Sequence, residues 1–359
     1  MIEIIKDRNT LDNIRDEWNE LAKAFGSPLL EYEWFSSCAN AFYEETNLRV
    51  VIVRSKKAVC AIAPLVKIKN GPFEYLEILG SSYLGEHSGF LYRDELSLRA
   101  LLDGIFQLNR PFYLHRISFD NPLASLLSRK KSKRGLFIKR KTTGSPYVPI
   151  CETWDSFYGS LSSKFRYNLK YRNKMASKIG KLNIAISNPQ HNELEASKKI
   201  AFEIEGSGWK GARGSAILYN KKLNKFFTEY INEVFDKDMI RFGFLFLRDI
   251  PVAMVFGLEY QNRFWLLKIG YDEKYSKCSP GKLLLHETIH YAFDKGLTSY
   301  ELLGSDEIWK HNWAKDNIHK YISLGFYTAN IHGIGALIFD LNQYVIRKLY
   351  HSNRRYVKP

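Results

Sequence analysis

Residues 240–303 constrain the fold of this chain more than any other stretch. Three β-rich runs, 240–247, 252–260 and 264–271, follow one another across short polar turns at Arg248-Asp249-Ile250-Pro251 and Gln261-Asn262-Arg263. Runs joined this tightly form an antiparallel meander. The meander gives way to Ser279-Pro280-Gly281, an apolar helix over 282–295 stopped by Gly296, and a further strand over 299–303. A helical crossover added to a meander implies a mostly antiparallel mixed sheet flanked by helices, an α/β (α+β) architecture. The Pro-Gly turn also carries chemistry. A turn that feeds a helix start leaves backbone N–H groups unpaired at the positive end of the helix dipole, a seat for an anion such as a pyrophosphate.

The rest of the chain repeats the plan. Its first part reads as a strand at 2–5 and a helix from Thr10 through Phe25, with Leu11, Ile14, Trp18 and Leu21 at helical spacing. A helix at 34–43, strands at 49–54, 58–67 and 73–80, a helix at 97–108 and strands at 113–119 and 136–141 follow. The second part adds helices at 161–179, 193–206 and 218–235 and a strand at 182–187. Each half thus offers helices, a meander, a crossover helix and a further strand. Gly144-Ser145-Pro146 marks a boundary, giving domains over 1–145 and 146–330 and a basic amphipathic tail over 331–359.

With 359 residues, 45% of them hydrophobic, the chain is long enough for two packed cores, and disorder is excluded for most of it. A formal net charge of +15 favours anionic partners: phosphorylated cofactors, nucleic acid or an acidic membrane surface. Cys38, Cys60, Cys151 and Cys278 form no C-x-x-C pair and have no His at zinc spacing, so neither a disulfide framework nor a metal site is expected. The N-terminus reads as a strand and no apolar run approaches the length of a membrane span, which makes the cytoplasm the expected compartment.

Several residues stand out chemically. No acidic residue occurs between Asp155 and Glu193, and Arg166, Lys170, Lys174 and Lys178 repeat every four residues. On a helix they form one stripe, suited to phosphates, RNA or lipid headgroups, or else a solvated face. Asp306 and Glu307 follow Gly304 at a strand end, where a carboxylate can serve as a general base. Trp309-Lys310-His311-Asn312-Trp313 sets two tryptophans around polar groups, which suits a ligand wall or core packing alike. Glu205-Gly206-Ser207-Gly208-Trp209 joins two helices through a glycine-rich loop from which Glu205 and Trp209 reach toward a cleft. Glu86 and His87 lie in a glycine-punctuated loop, where a histidine is either a candidate acid–base group or an exposed loop side chain. P-loops, Ser/His/Asp signatures and dinucleotide-binding glycine fingerprints are absent.

Together these blocks resemble a family. Ser163-Lys164-Phe165-Arg166-Tyr167-Asn168-Leu169 with its trailing basic residues is similar to the basic helix of the CelD-like acyltransferases of the GNAT superfamily, relatives of the FemABX enzymes. Tyr271-Asp272, Tyr275, Ser279-Pro280-Gly281, Gly296, Gly304 and Trp309-Lys310 follow that family's C-terminal pattern in order. The resemblance spans about residues 30–325 and is most specific in the second half. Glu86-His87-Ser88-Gly89 stands where the family often has Asp-Tyr-x-Asp, and Tyr300 replaces its usual acidic residue.

The resemblance implies two tandem GNAT-like domains, the first degenerate and facing the acceptor, the second binding acyl-CoA. It implies a donor along Lys268, Ile269, Gly270 and Tyr271, with its pyrophosphate at Ser279, Gly281 and Lys282. Direct attack by an acceptor amine follows, with Asp306 as base and Glu205 and His87 behind it. Glu86, Arg166, Trp209, Trp309 and Lys310 are the expected acceptor contacts. The expected activity is an acyl-CoA-dependent N-acyltransferase, transferring acetyl or another non-aminoacyl group to an amino sugar or other cell-envelope or exopolysaccharide precursor, small or lipid-linked. No metal and no DNA enter this expectation. One rival is a FemABX-like aminoacyltransferase using aminoacyl-tRNA, although no sustained heptad pattern marks the coiled-coil arm such enzymes often carry. The other is a non-catalytic protein bound to the inner face of an acidic membrane through the tail, whose Ile334, Leu337, Ile338, Leu341, Val345 and Leu349 recur at near-helical spacing.

Overall fold

The computed structural model describes residues 1–129, 134–208, 214 and 216–355. It divides into two units, one of residues 1–25, 43–142 and 321–359, the other of residues 26–42 and 143–320.

The first unit holds β1 (Ile2–Ile5), β2 (Val50–Ser55), β3 (Ala58–Ala63), β4 (Leu65–Asn70), β5 (Phe73–Ile78), β6 (Leu91–Tyr92), β7 (Phe112–Ser118) and β8 (Gly135–Lys141). Two sheets form, ordered β1-β2-β3-β6 and, with a late strand described below, β4-β5-β7 and onward to β8. The single strand expected over 58–67 is therefore two strands in two sheets. They part at Pro64, which has no N–H to give a ladder. The helix expected from Thr10 to Phe25 is also interrupted. Asp7 caps a short helix, Arg8–Asp12, by accepting the Thr10 N–H at 2.8 Å, and Arg15–Ala22 follows as a separate helix.

The second unit is built on β9 (Ser145–Pro149), β10 (Leu182–Ser187), β11 (Ile240–Leu247), β12 (Ile250–Tyr260), β13 (Arg263–Tyr271), β14 (Ser299–Glu301) and β15 (Ile318–His319). They join in the order β10-β11-β12-β13-β14-β9-β15. The expected meander is present, and β10 to β13 are successively antiparallel. Its two turns are tight. Arg248 and Asp249 (φ 51° and 63°) form one, Gln261 and Asn262 (φ 47° and 57°) the other, a pairing of left-handed residues that matches strand twist. Helix Pro280–Asp294 then crosses over, and β14 lies parallel to β13. Leu284, Leu285, Ile289 and Ala292 of this helix are buried with Val255, Phe264 and Leu266 of the sheet. Burial of each of the leucine, isoleucine, valine and phenylalanine side chains is worth about 1.5–3 kcal/mol.

The units do not follow the linear division expected at residue 145. Residues 26–42 belong to the second unit because helix Tyr32–Phe42 buries its aromatic face there. Trp34 meets Phe226 and Tyr230 edge-on at 5.0 and 5.1 Å, and Phe42 stacks on Phe226. Lys237 Nζ holds the start of this helix through Glu31 at 2.9 Å and Glu33 at 2.8 Å. In the other direction, β16 (Tyr321–Thr328) returns to the first unit and pairs with β7 on one side and β8 on the other. Helix Ile331–Arg355 follows it there, so the expected tail is a helix of the first unit rather than a separate segment.

Candidate active site

The site arises where two paired strands part. β14 pairs with β13 only at Arg263, Phe264 and Trp265, whereas β13 runs on to Tyr271. Beyond the fork lies a cavity of about 550 Å³ within the second unit. Ile269, Gly270 and Tyr271 form its wall on the β13 side, Gly304 and Ser305 the wall beyond β14. Gly281, Lys282 and Leu285 of helix Pro280–Asp294 close one end, and Glu205 and Gly208 lie against β13. Glu307, Trp309, Lys310 and Trp313 supply the remaining lining. Trp313 is itself packed edge-on against Phe165 at 4.9 Å.

The anion seat is narrower than the turn alone implied. Ser279 N–H donates to Ser276 O at 3.0 Å, Pro280 has no N–H, and Lys282 N–H turns back to Ser279 O at 3.0 Å. Ser279 sits at φ 52° and its hydroxyl caps nothing. Among the described residues, the Gly281 N–H is the donor of this turn left with no protein acceptor. Two cations reinforce it. Partial burial first, then the neighbouring Arg172 guanidinium, hold the Lys282 ammonium below the usual lysine range. The Lys282 Nζ stands 5.6 Å over the Phe165 ring. Arg172 donates to the Lys277 carbonyl just before the turn. An amide at a helix start with two cations beside it concentrates positive charge at this end of the cavity.

Glu205 enters the cavity from the last turn of helix Leu194–Gly206. Its side chain accepts the Ile217 N–H at 2.8 Å, and the residue is 2% exposed. The close approach of this helix to β13 requires Gly270, because any β-carbon there would collide with the Glu205 main chain. Tyr271, on the same strand, has its phenol pushed up by burial and then by Glu273, so it remains protonated at neutral pH.

The opposite wall is held by Lys310. Its Nζ donates to Leu303 O at 2.7 Å and Ser305 O at 2.9 Å and pairs with Glu307 at 3.4 Å, in a residue 4% exposed. Leu303 and Gly304 both take left-handed backbone (φ 48° and 58°), a costly conformation for leucine. The buried ammonium ties down the carbonyls on either side of that bend. Ser145 adds a hydroxyl bond to Gly304 O at 2.8 Å. Lys310 thus shapes the wall, and its donors are largely taken.

The structure brings Ile269, Gly270, Tyr271, Gly281, Lys282, Glu205, Trp309 and Lys310 to this cavity. Ser279 and Lys268 do not line it, and the Lys268 Nζ lies 4.8 Å over the Phe227 ring. Asp306, expected as the base, is also outside the lining. Its carboxylate is engaged by His311 Nε2 at 2.6 Å, and its neighbour Glu307 faces the cavity instead. Strand-end position alone could not tell these adjacent carboxylates apart. Arg166 sits on helix Ser163–Ile179 and is not part of the lining. Glu86 and His87 belong to the first unit, where the His87 ring stacks on Tyr321 at 5.6 Å. Trp209 lies outside the described residues. Leu285 and Ser305 line the cavity without having been singled out. Leu285 was detectable, since it falls one helical turn beyond Gly281.

Among the described residues no group of three or more His, Cys, Asp or Glu gathers as a metal would require. None of the described helices is long and apolar enough to cross a membrane.

Residues 163–311 match the family described as Acetyltransferase (GNAT) domain, so the chain carries a GNAT-type acyltransferase domain that includes the cavity's main walls. Among solved structures the chain is similar to FemX, with 14% identity, a TM-score of 0.57, and coverage of 88% of this chain and 96% of that one. It is similar to the C-terminal domain (DUF2156) of a putative lysylphosphatidylglycerol synthetase from Agrobacterium fabrum, with 9% identity, a TM-score of 0.56, and coverage of 92% and 96%. A conserved protein of unknown function from Bacteroides thetaiotaomicron is similar at 11% identity and a TM-score of 0.54, covering 91% and 99%. At these identities the likeness is one of fold. No curated protein matches the chain.

Proposed function

We propose that this chain is a CelD-like, acyl-CoA-dependent N-acyltransferase, most simply an N-acetyltransferase. Its acceptor would be an amino group on a cell-envelope or exopolysaccharide precursor such as an amino sugar, reached from the cytoplasm. The observation that carries the reading is the cavity at the fork of β13 and β14, with an open helix-start amide at one end and a buried carboxylate beside the strand.

The residues present fit a diphosphate-bearing thioester. Gly281 N–H, Lys282 and Arg172 would hold its phosphates, and Ile269 to Tyr271 would flank its arm. When bound, the donor supplies an electrophilic thioester carbonyl. Glu205 is the base we assign in place of Asp306, because it lines the cavity and Asp306 does not. Its carboxylate takes the proton released as the acceptor nitrogen bonds to the carbonyl carbon and the carbon–sulfur bond breaks, the sulfur leaving with the bonding pair as the thiolate of the free carrier. Glu307 also lines the cavity, where a second carboxylate draws a basic acceptor toward the site; the amine attacks in its neutral form, leaving Glu205 one proton to take.

Calorimetry with acetyl-CoA and longer acyl-CoAs tests the donor. Binding that Gly281→Asp removes supports the reading, and no binding to any of them would overturn it.

A second reading has its own support. Lys164, Lys170, Lys174 and Lys178 are all exposed along helix Ser163–Ile179, a face suited to a polyanion. FemABX-like transfer from aminoacyl-tRNA would use it, with steep salt dependence. Tight retention of charged tRNA in a gel shift, together with no acyl-CoA binding, would reverse the order of the two.

A further inference from the structure

The first unit ends in helix Ile331–Arg355, and its buried side is fixed by a carboxylate. Asp340 accepts hydroxyl bonds from Tyr75 at 3.0 Å and Tyr327 at 2.8 Å and a further one from Tyr113, and Asn70 Nδ2 reaches it at 3.3 Å. Ala336 is buried next to Tyr75 and Tyr327 in the same cluster. This anchoring turns the other side of the helix outward. Ile331, Ile334, Ile338, Leu341 and Val345 recur at spacings of three and four residues and so share one face. Each is between 47% and 92% exposed. Tyr344 and Ile346 beside them are exposed as well. A contiguous apolar stripe of this kind marks an interaction surface.

Its charge identifies the partner. Asp340 is the one acidic residue of 331–359, and it is spent inward on the tyrosines. The same segment carries Arg347, Lys348, Arg354, Arg355 and Lys358 within a chain of net charge +15. A second copy of the helix is a poorer occupant. The stripe spans about two heptads, short of the three to four that sustain a coiled coil. The positions flanking it, Gly335, Leu337, Asn342 and Tyr344, hold none of the opposed charges that set coiled-coil pairing. We propose that this helix docks on an anionic lipid surface, its isoleucine stripe lying in the interface and its basic end among the headgroups.

Vesicle co-sedimentation of the full chain decides this. Phosphatidylcholine vesicles containing phosphatidylglycerol should pellet the protein, and pure phosphatidylcholine vesicles should pellet far less. Ile338→Asp with Leu341→Asp should weaken pelleting at least about tenfold. Both positions are exposed, and an unchanged thermal melt shows that the fold survives. A second variant, Lys164→Glu with Lys174→Glu, removes charge from a helix of the other unit and should retain pelleting. Equal pelleting of wild type and the stripe variant would overturn the proposal. So would a dimer in light scattering that the stripe variant dissolves while vesicles capture neither form.

Discussion

A β-carbon on Gly270 would come within 2.8 Å of the Glu205 Cα, so the strand that lines the cavity and the helix that carries its carboxylate touch backbone to backbone. Real β-carbons do not approach a main chain that closely, and the two elements would have to separate. Gly270→Ala should therefore cost about 1–3 kcal/mol of stability through overpacking. It should also raise KM and lower kcat together, because both the arm-binding wall and the base move. Urea unfolding and steady-state kinetics check this; wild-type kinetics in a stable Gly270→Ala protein would refute the packing argument.

Glu205→Gln removes the base and keeps the shape. Loss of a general base should lower kcat by about 10²- to 10⁴-fold. Donor affinity, measured by calorimetry, should be little changed. Asp306→Asn, whose native carboxylate is engaged by His311 outside the cavity, should keep activity within a few-fold of wild type, as an order-of-magnitude expectation for a group that leaves the reacting atoms untouched. The reverse ranking would restore Asp306 as the base.

Gly281→Asp places a carboxylate beside the one open amide of the helix start. Repulsion of a diphosphate should weaken donor binding by at least about a hundredfold. Gly281→Ala is the milder control, since its β-carbon would meet Tyr271 Cδ1 at 3.1 Å and needs only a small ring shift. Equal affinities for the two variants in titration calorimetry would mean that phosphates do not bind at this turn.

Lys310→Met keeps the length of the side chain and removes the ammonium. Two carbonyls, Leu303 O and Ser305 O, lose their buried donor, at a cost of about 2–3 kcal/mol. The wall of the cavity should loosen, and kcat should fall even where substrate saturates. A midpoint of urea unfolding unchanged from wild type would contradict this structural role.

Acid should unfasten the fork from the β14 side. Glu301 is buried, which by itself works to raise its pKa, but the His319 bond at 2.8 Å, the His319 charge and the Ser299 hydroxyl outweigh burial and lower it. A folded-state pKa below the unfolded one gives stability that is present above the ordinary carboxyl value of 4.5 and is lost as pH falls through the lowered value. His319→Gln removes the main partner, so acid unfolding followed by circular dichroism should begin at higher pH than in wild type. Coincident acid transitions would show that the pair is not linked to folding.

Much of the second unit is legible in the sequence. Strands 182–187 and 240–247 fall where their alternation and turns place them, and the crossover helix begins at the proline that reads as its first residue. These features are local, written in spacing and in turn residues. Pro64 is local too: its missing N–H divides 58–67 between two strands. The anion seat was half legible. The helix start is there, but whether each amide is free depends on where Ser279 and Lys282 send their N–H groups, and a one-dimensional pattern does not contain that.

The sequence by itself determined the meander, the helix crossing from β13 to β14 and the basic helix, because strand alternation, helical period, left-handed turn residues and proline act over a few neighbours. Only the tertiary structure decided that residues 26–42 serve the second unit while 321–355 serve the first, and that Glu205 and Glu307 face the cavity while Asp306 turns to His311. Those outcomes depend on contacts between residues far apart in the chain, such as Trp34 with Phe226 and Gly270 with Glu205. Which distant surfaces pack together is set by shape and burial in three dimensions, not by the order of residues along any one segment.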